Sequence, residues 1–131
     1  MILDSSALVA VLREENDHET LNDAILDASS VKMSAANYLE TAIVIDGWKN
    51  QVTSSRLDSF VREARIEIVP VTGDDVQIAR RAHRAYGRGS GHPARLNFGD
   101  CFAYALAKTS GEPLLFKGDD FTHTDVEPAL K

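Results

Sequence analysis

Apolar residues fall along this chain in short solid runs, separated by stretches in which they recur every three or four positions. The first run, MIL, reads as a short buried strand, and SSALVAVLREE behind it as a helix. HETLNDAILDA puts Leu21, Ala24, Ile25 and Ala28 on one helical face. SVKM reads as a second short strand, after which Ser34 is expected to N-cap a long helix, AANYLETAIVIDGWK. Leu57, Phe60, Val61 and Ala64 mark a further helix, and IEIVPV is a strand by its β-branched content. A helix over 73–86 leads into GRGSGHPARLN, a glycine- and proline-bearing loop read as a flexible connection. FGDCFAYALAKTSG is a helix closed by Gly111, PLLF a last buried strand, and KGDDFTHTD lies in the tail. Short apolar strands separated by helices predict an α/β fold: a parallel sheet of about four to five strands, covered on both faces. With no repeat or low-complexity linker, one domain over 1–131 is expected.

Several carboxylates interrupt this apolar pattern. Asp4 directly follows the first strand, the place where open parallel sheets build their sites. An aspartate there is also a good helix cap, but Ser5 and Ser6 are expected to serve equally well, so capping alone does not require Asp4. Glu40 is the only charge in NYLETAIVI, and Asp100 stands in the first turn of FGDCFAYALA, where it also suits the helix dipole. Asp119 and Asp120 come just past the last strand. Each has an ordinary explanation, but together they converge better on one site.

Composition narrows the classes. An apolar share of 44% with 26% charged residues describes a chain that buries a core rather than a disordered one. No apolar run approaches the roughly 20 residues of a membrane span, and the start lacks the features of a secretory signal, so a cytoplasmic protein is expected. The single cysteine, Cys101, excludes an internal disulfide, and the four histidines have no zinc-ligand spacing. Cys101 reads as a buried small hydrophobe, and Trp48 and Tyr86 fit packing roles as well as base stacking. The net charge of -6 argues against a nucleic-acid partner until its distribution is considered. Between Val76 and Gly99 lie Arg80, Arg81, Arg84, Arg88 and Arg95 and no acid. Alone, this is a solvated helix face running into a loop; beside an acidic cluster it suggests an edge for phosphate.

Clustered carboxylates in apolar surroundings need a proton or a cation to relieve them. A shared-proton acid/base pair and a hard divalent ion on oxygen ligands both fit. Mg²⁺ or Mn²⁺ with a basic edge favours hydrolysis of a phosphodiester. A metal-dependent phosphatase, or a catalytically silent interaction protein, are the alternatives.

The segments ILDSSALVAVL, SAANYLETAIVI and LNFGDCFAYALAKTSGEPLLFKGDDFTHTD together resemble the PIN-domain ribonucleases of the VapC toxin family, in order and over nearly the whole chain. The resemblance implies a PIN-like α/β/α sandwich and a Mg²⁺- or Mn²⁺-dependent endoribonuclease that cuts RNA needed for translation, often tRNA or rRNA. It also implies a VapB-type antitoxin partner and a homodimer. The family's acids fall on Asp4 in DSSA, Glu40 in YLETA and Asp100 in NFGDC. Many relatives carry Thr-x-Asp-x-Asp-Phe after the last strand; here a glycine replaces the first of those aspartates, and Asp120 is matched when Phe121 is aligned. Asp119 and Asp125 are the second and third candidates for that position. On this pattern Asp4 and Asp100 bind metal directly, supported by Glu40 and Asp120, and cleavage leaves a 5′-phosphate and a 3′-hydroxyl. Ser6 is expected to hydrogen-bond Asp4 or a phosphate, and Arg80, Arg84, Arg88 and Arg95 to contact substrate.

Overall fold

The strands are too short to be stable alone, and their order in the sheet decides where helices can lie. The computed structural model describes all 131 residues. In chain order the elements are β1 (Ile2–Leu3), α1 (Ser5–Leu12), α2 (His18–Asp27), β2 (Val31–Ser34), α3 (Ala35–Gly47) and α4 (Gln51–Glu63). They continue with β3 (Ile66–Val69), α5 (Gly73–Tyr86), α6 (Phe98–Ser110), β4 (Leu114–Leu115) and a 3-10 turn, Asp120–His123. The four strands pair in parallel in the order β3-β2-β1-β4. The expected parallel α/β sheet is therefore present, with four strands.

Side chains alternate across a strand, and the core divides accordingly. Ile2 and Leu114 pack with α5 and α6 on one face, together with Ala79, Ala82, Tyr104 and Leu106. Their neighbours Leu3 and Leu115 point to the other face, where Leu8, Leu21, Ile25, Met33, Ile45 and Leu57 collect from α1 to α4. No helix is long and apolar enough to cross a membrane.

The strand order contains one reversal. From β1 the chain steps outward to β2 and then β3; after α5 and α6 it returns to pair β4 on the opposite side of β1. Connections leaving β1 and entering β4 therefore cover opposite faces, and the carboxyl ends of these two strands open onto a crevice. Backbone hydrogen bonds fix the join: Ile2 donates to the Pro113 carbonyl at 2.8 Å and Asp4 to that of Leu115 at 3.0 Å.

Several local expectations change. Ser34 ends β2 without a side-chain cap bond, so α3 starts directly from the strand. The segment 87–97 is tied down: Arg88 N–H donates to the Leu96 carbonyl at 3.0 Å, Leu96 N–H to that of Tyr86 at 2.9 Å, and Ala94 and Leu96 are fully buried. Gly111 does close α6, in the left-handed region at φ 64°.

Candidate active site

The crevice at the ends of β1 and β4 is a cleft of about 420 Å³, and its wall includes Asp4, Glu40, Asp100 and Asp120. Four acids far apart in sequence thus meet, each delivered by a different element.

Asp4 is the first residue beyond β1 and also the N-cap of α1. Its Oδ2 accepts hydrogen bonds from Ser6 N–H at 3.0 Å and Ser6 Oγ at 2.5 Å. The expectation that Ser5 and Ser6 take over capping is corrected: Asp4 itself caps, using one carboxylate oxygen. The other, Oδ1, is buried with no hydrogen-bond partner, and the residue is only 1% exposed. Burial pushes the Asp4 carboxyl up to about 7; the Ser6 hydrogen bonds oppose the rise, and the charges of Asp100 and Glu40 add to it.

Asp100 has a double use of the same kind. At the third position of α6 it forms a capping box with Asn97: its Oδ2 accepts from Asn97 N–H at 2.9 Å, and its own N–H donates to Asn97 Oδ1 at 2.8 Å. Its carboxyl is also held above the usual range, first by burial and then by Asp120 and Glu40, while the Asn97 bond and Arg88 pull the other way.

Glu40 projects from α3 and is held by Ser5, expected only as a cap, and by Asn37, which the sequence reading did not single out. Its Oε1 accepts from Ser5 Oγ at 2.6 Å and from Asn37 Nδ2 at 3.4 Å. Asn37, fully buried, also donates to the Gly99 carbonyl at 2.9 Å and so joins α3 to the first turn of α6. A Cβ on Gly99 would overlap the Glu40 carboxylate, so any larger residue there displaces that carboxylate from its present position.

Asp120 opens the 3-10 turn and lines the cleft, whereas Asp119 does not. Asp125 is engaged elsewhere, accepting from Tyr104 Oη at 2.7 Å and from Lys108 at 3.0 Å, which hold its carboxyl below the usual range. Asp125 is thus engaged away from the cleft, and of the three candidates for the fourth acid Asp120 is the one on its wall.

The arginines lie off the acidic wall itself. Arg80, Arg84, Arg88 and Arg95 are exposed, outside every ion pair, and absent from the acidic wall. Arg88 is near enough to act on Asp100, and Arg80 borders a separate apolar groove with Phe98 and Phe102. The cation in the cleft wall is Lys117, which the sequence reading passed over. Its N–H donates to Ser6 Oγ at 3.0 Å, and its ammonium meets Glu15 at 2.7 Å and Asp17 at 3.1 Å. Cys101 is a packed hydrophobe whose thiol burial pushes up to about 11, and Trp48 lies under Arg13.

A wall rich in carboxylates, one of them with a buried, unpartnered oxygen, fits a hard divalent cation, which would supply the missing partner of Asp4 Oδ1. No three acidic, histidine or cysteine side chains stand at ligand spacing as the side chains now lie. Asp4 nevertheless feels the charges of Asp100 and Glu40, and Asp100 those of Asp120 and Glu40.

Comparison with known proteins agrees with this geometry. Residues 1–127 match the PIN domain family. The ribonuclease VapC28 of Mycobacterium tuberculosis is 50% identical over 130 residues, covering 99% of this chain and 98% of its own. Among solved structures, the sarcin-ricin loop cleaving toxin VapC20 of M. tuberculosis superposes with a TM-score of 0.72 at 16% identity, covering 97% of this chain and 98% of that one. A toxin-antitoxin complex from Klebsiella pneumoniae gives 0.68 at 13% identity, over 92% and 88%. The sheet order, the acids at its switch point and a half-identical full-length relative lead to one assignment: this chain belongs to the PIN-domain family, among the VapC ribonucleases.

Proposed function

We propose that the cleft hydrolyses RNA phosphodiester bonds with a divalent cation, Mg²⁺ or Mn²⁺, and that this is the toxic activity of a toxin-antitoxin pair. The observation that carries the metal-site reading is the buried, unpartnered Oδ1 of Asp4, in a cleft whose wall carries four further acids. Asp4 and Asp100 would hold the ion directly; Glu40 and Asp120 would complete its surroundings through water. A bound divalent cation supplies a water of lowered pKa and neutralises charge on the phosphate.

The chain's own residues do the rest. Ser6 donates to Asp4 Oδ2, so the free oxygen is oriented before any ligand arrives. Ser5, Asn37 and Gly99 fix the Glu40 carboxylate, and the Asn97 capping box fixes Asp100. Glu40 or Asp120, both on the wall, orients the attacking water. Attack at phosphorus breaks the bond to the 3′ oxygen, which takes a proton, leaving a 3′-hydroxyl and a 5′-phosphate.

The partner is a VapB-type antitoxin, a reading supported by likeness to a toxin-antitoxin complex. The substrate is RNA used in translation, tRNA or rRNA, a reading supported by VapC20, described as a sarcin-ricin loop cleaving toxin. A homodimer accords with the exposed apolar side chains Leu39, Ile43 and Phe98, which stand on the two helices that carry Glu40 and Asp100. The test is cleavage of RNA by purified protein with Mg²⁺ or Mn²⁺, with chelator, and in parallel with a phosphomonoester. RNA cleavage abolished by chelation, with the monoester untouched, is expected; monoester hydrolysis without RNA cleavage would replace this reading with a phosphatase.

A further inference from the structure

The cleft wall sets five carboxylates, Asp4, Glu15, Glu40, Asp100 and Asp120, against one cation, Lys117. A polyanion entering such a cleft needs positive charge beyond what serves the reacting phosphate, and the arginines are not on the wall. We propose that Lys117 is the backbone anchor of the cleft: its ammonium, parked on Glu15 and Asp17, transfers to an RNA phosphate next to the scissile one. The inference rests on the nuclease reading of the same cleft and adds a substrate contact to it.

Three observations support the anchor. The main chain of Lys117 is fixed to the acid site, since its N–H donates to Ser6 Oγ at 3.0 Å and that hydroxyl donates to Asp4 Oδ2 at 2.5 Å. Gly118, at φ 100°, then turns the chain so that Asp120 returns to the wall. The side chain, by contrast, is held only at its tip, by Glu15 at 2.7 Å and by Asp17 at 3.1 Å; the Asp17 contact lacks hydrogen-bond alignment. Lys117 and Glu15 are each about one third exposed, so water screens that pair and the ammonium can exchange to a phosphate oxygen, although the Asp17 oxygen it also meets is buried. Glu15 lies beyond the far end of α1 while Asp4 lies at its start, so the parked ammonium and Asp4 sit at opposite ends of that helix along one cleft wall. The phosphate it reaches is a neighbour of the reacting one.

An anchor outside the reacting group holds ground state and transition state equally, which appears in KM and leaves kcat in place. The experiment is steady-state cleavage of a single-stranded RNA oligonucleotide that the wild-type protein cuts, at several salt concentrations, for K117M, K117R and E15Q. K117M is expected to raise KM about tenfold with kcat within about twofold. Its dependence of log KM on log salt should be shallower by about 0.7, the loss of one phosphate contact to a single strand. K117R should restore both within about threefold, and E15Q, which removes the competitor for the ammonium, should not raise KM. Unchanged KM and salt slope in K117M, a loss confined to kcat, or a raised KM in E15Q would overturn the anchor and leave Lys117 a strap between β4 and the α1–α2 turn. Should K117M fail to fold, K117R and E15Q decide alone. D4N serves as the separate control: if it cuts as wild type does, the acid-site reading fails, whatever Lys117 does.

Discussion

Asp4 concentrates the conflict between stability and function in one side chain. Its burial favours the protonated form in the folded chain up to about pH 7, whereas the unfolded chain releases that proton near 3.8. Between those values the folded state binds more protons, so this residue's contribution to stability falls as pH rises and levels off above 7. The full difference is on the order of 4 kcal/mol in the absence of metal. D4N should therefore melt higher than wild type at pH 7.5 in chelator, and the gap should close toward pH 4, as calorimetry at both values would reveal. Gly99 is the second sensitive residue. G99A puts a methyl where the Glu40 carboxylate lies, and that carboxylate, the end of a flexible side chain, shifts away from Ser5 and Asn37 at little cost in stability. Cleavage at least tenfold slower, with a helical circular dichroism spectrum retained, is the expected outcome.

At the scale of elements, two capping boxes offer a controlled comparison. Thr72 and Asp75 cap α5 away from the cleft, while Asn97 and Asp100 cap α6 at it. Losing either cap should cost about 1 kcal/mol in denaturant unfolding. T72A should keep wild-type cleavage, whereas N97A should lose it by about tenfold, because only there does the cap also orient a site carboxylate. This pairing explains what the sequence disclosed and what it hid. Asp4, Glu40 and Asp100 were legible because each is a charge set in an apolar element, a cost that demands a reason. Ser5, Asn37 and Gly99 were not, because polar and small residues in a helix's first turns already have a local explanation in capping. Their second role exists only once α1, α3 and α6 meet. Lys117 was hidden by its setting in a polar tail, and linear clustering of the arginines does not say which wall they border. The strands were legible in position, since solid apolar runs mark strands buried on both faces.

For the whole molecule, the reversal of strand order at β1 and β4 puts the ends of two strands and the starts of two helices around one cleft. The positive ends of α1 and α6 favour negative charge there, yet Asp4 and Asp100 remain raised toward neutrality, so the fold has assembled more acid than it can relieve by itself. Addition of Mg²⁺ or Mn²⁺ should raise the melting temperature of wild-type protein at neutral pH, and should do so much less for D4N. The central claim, that these carboxylates cut RNA, is tested most directly by mapping new RNA 5′ ends after brief expression of wild type and of D4N. Discrete new ends carrying a 5′-phosphate with wild type, and none with D4N, are predicted. Undiminished cleavage by D4N would contradict the account.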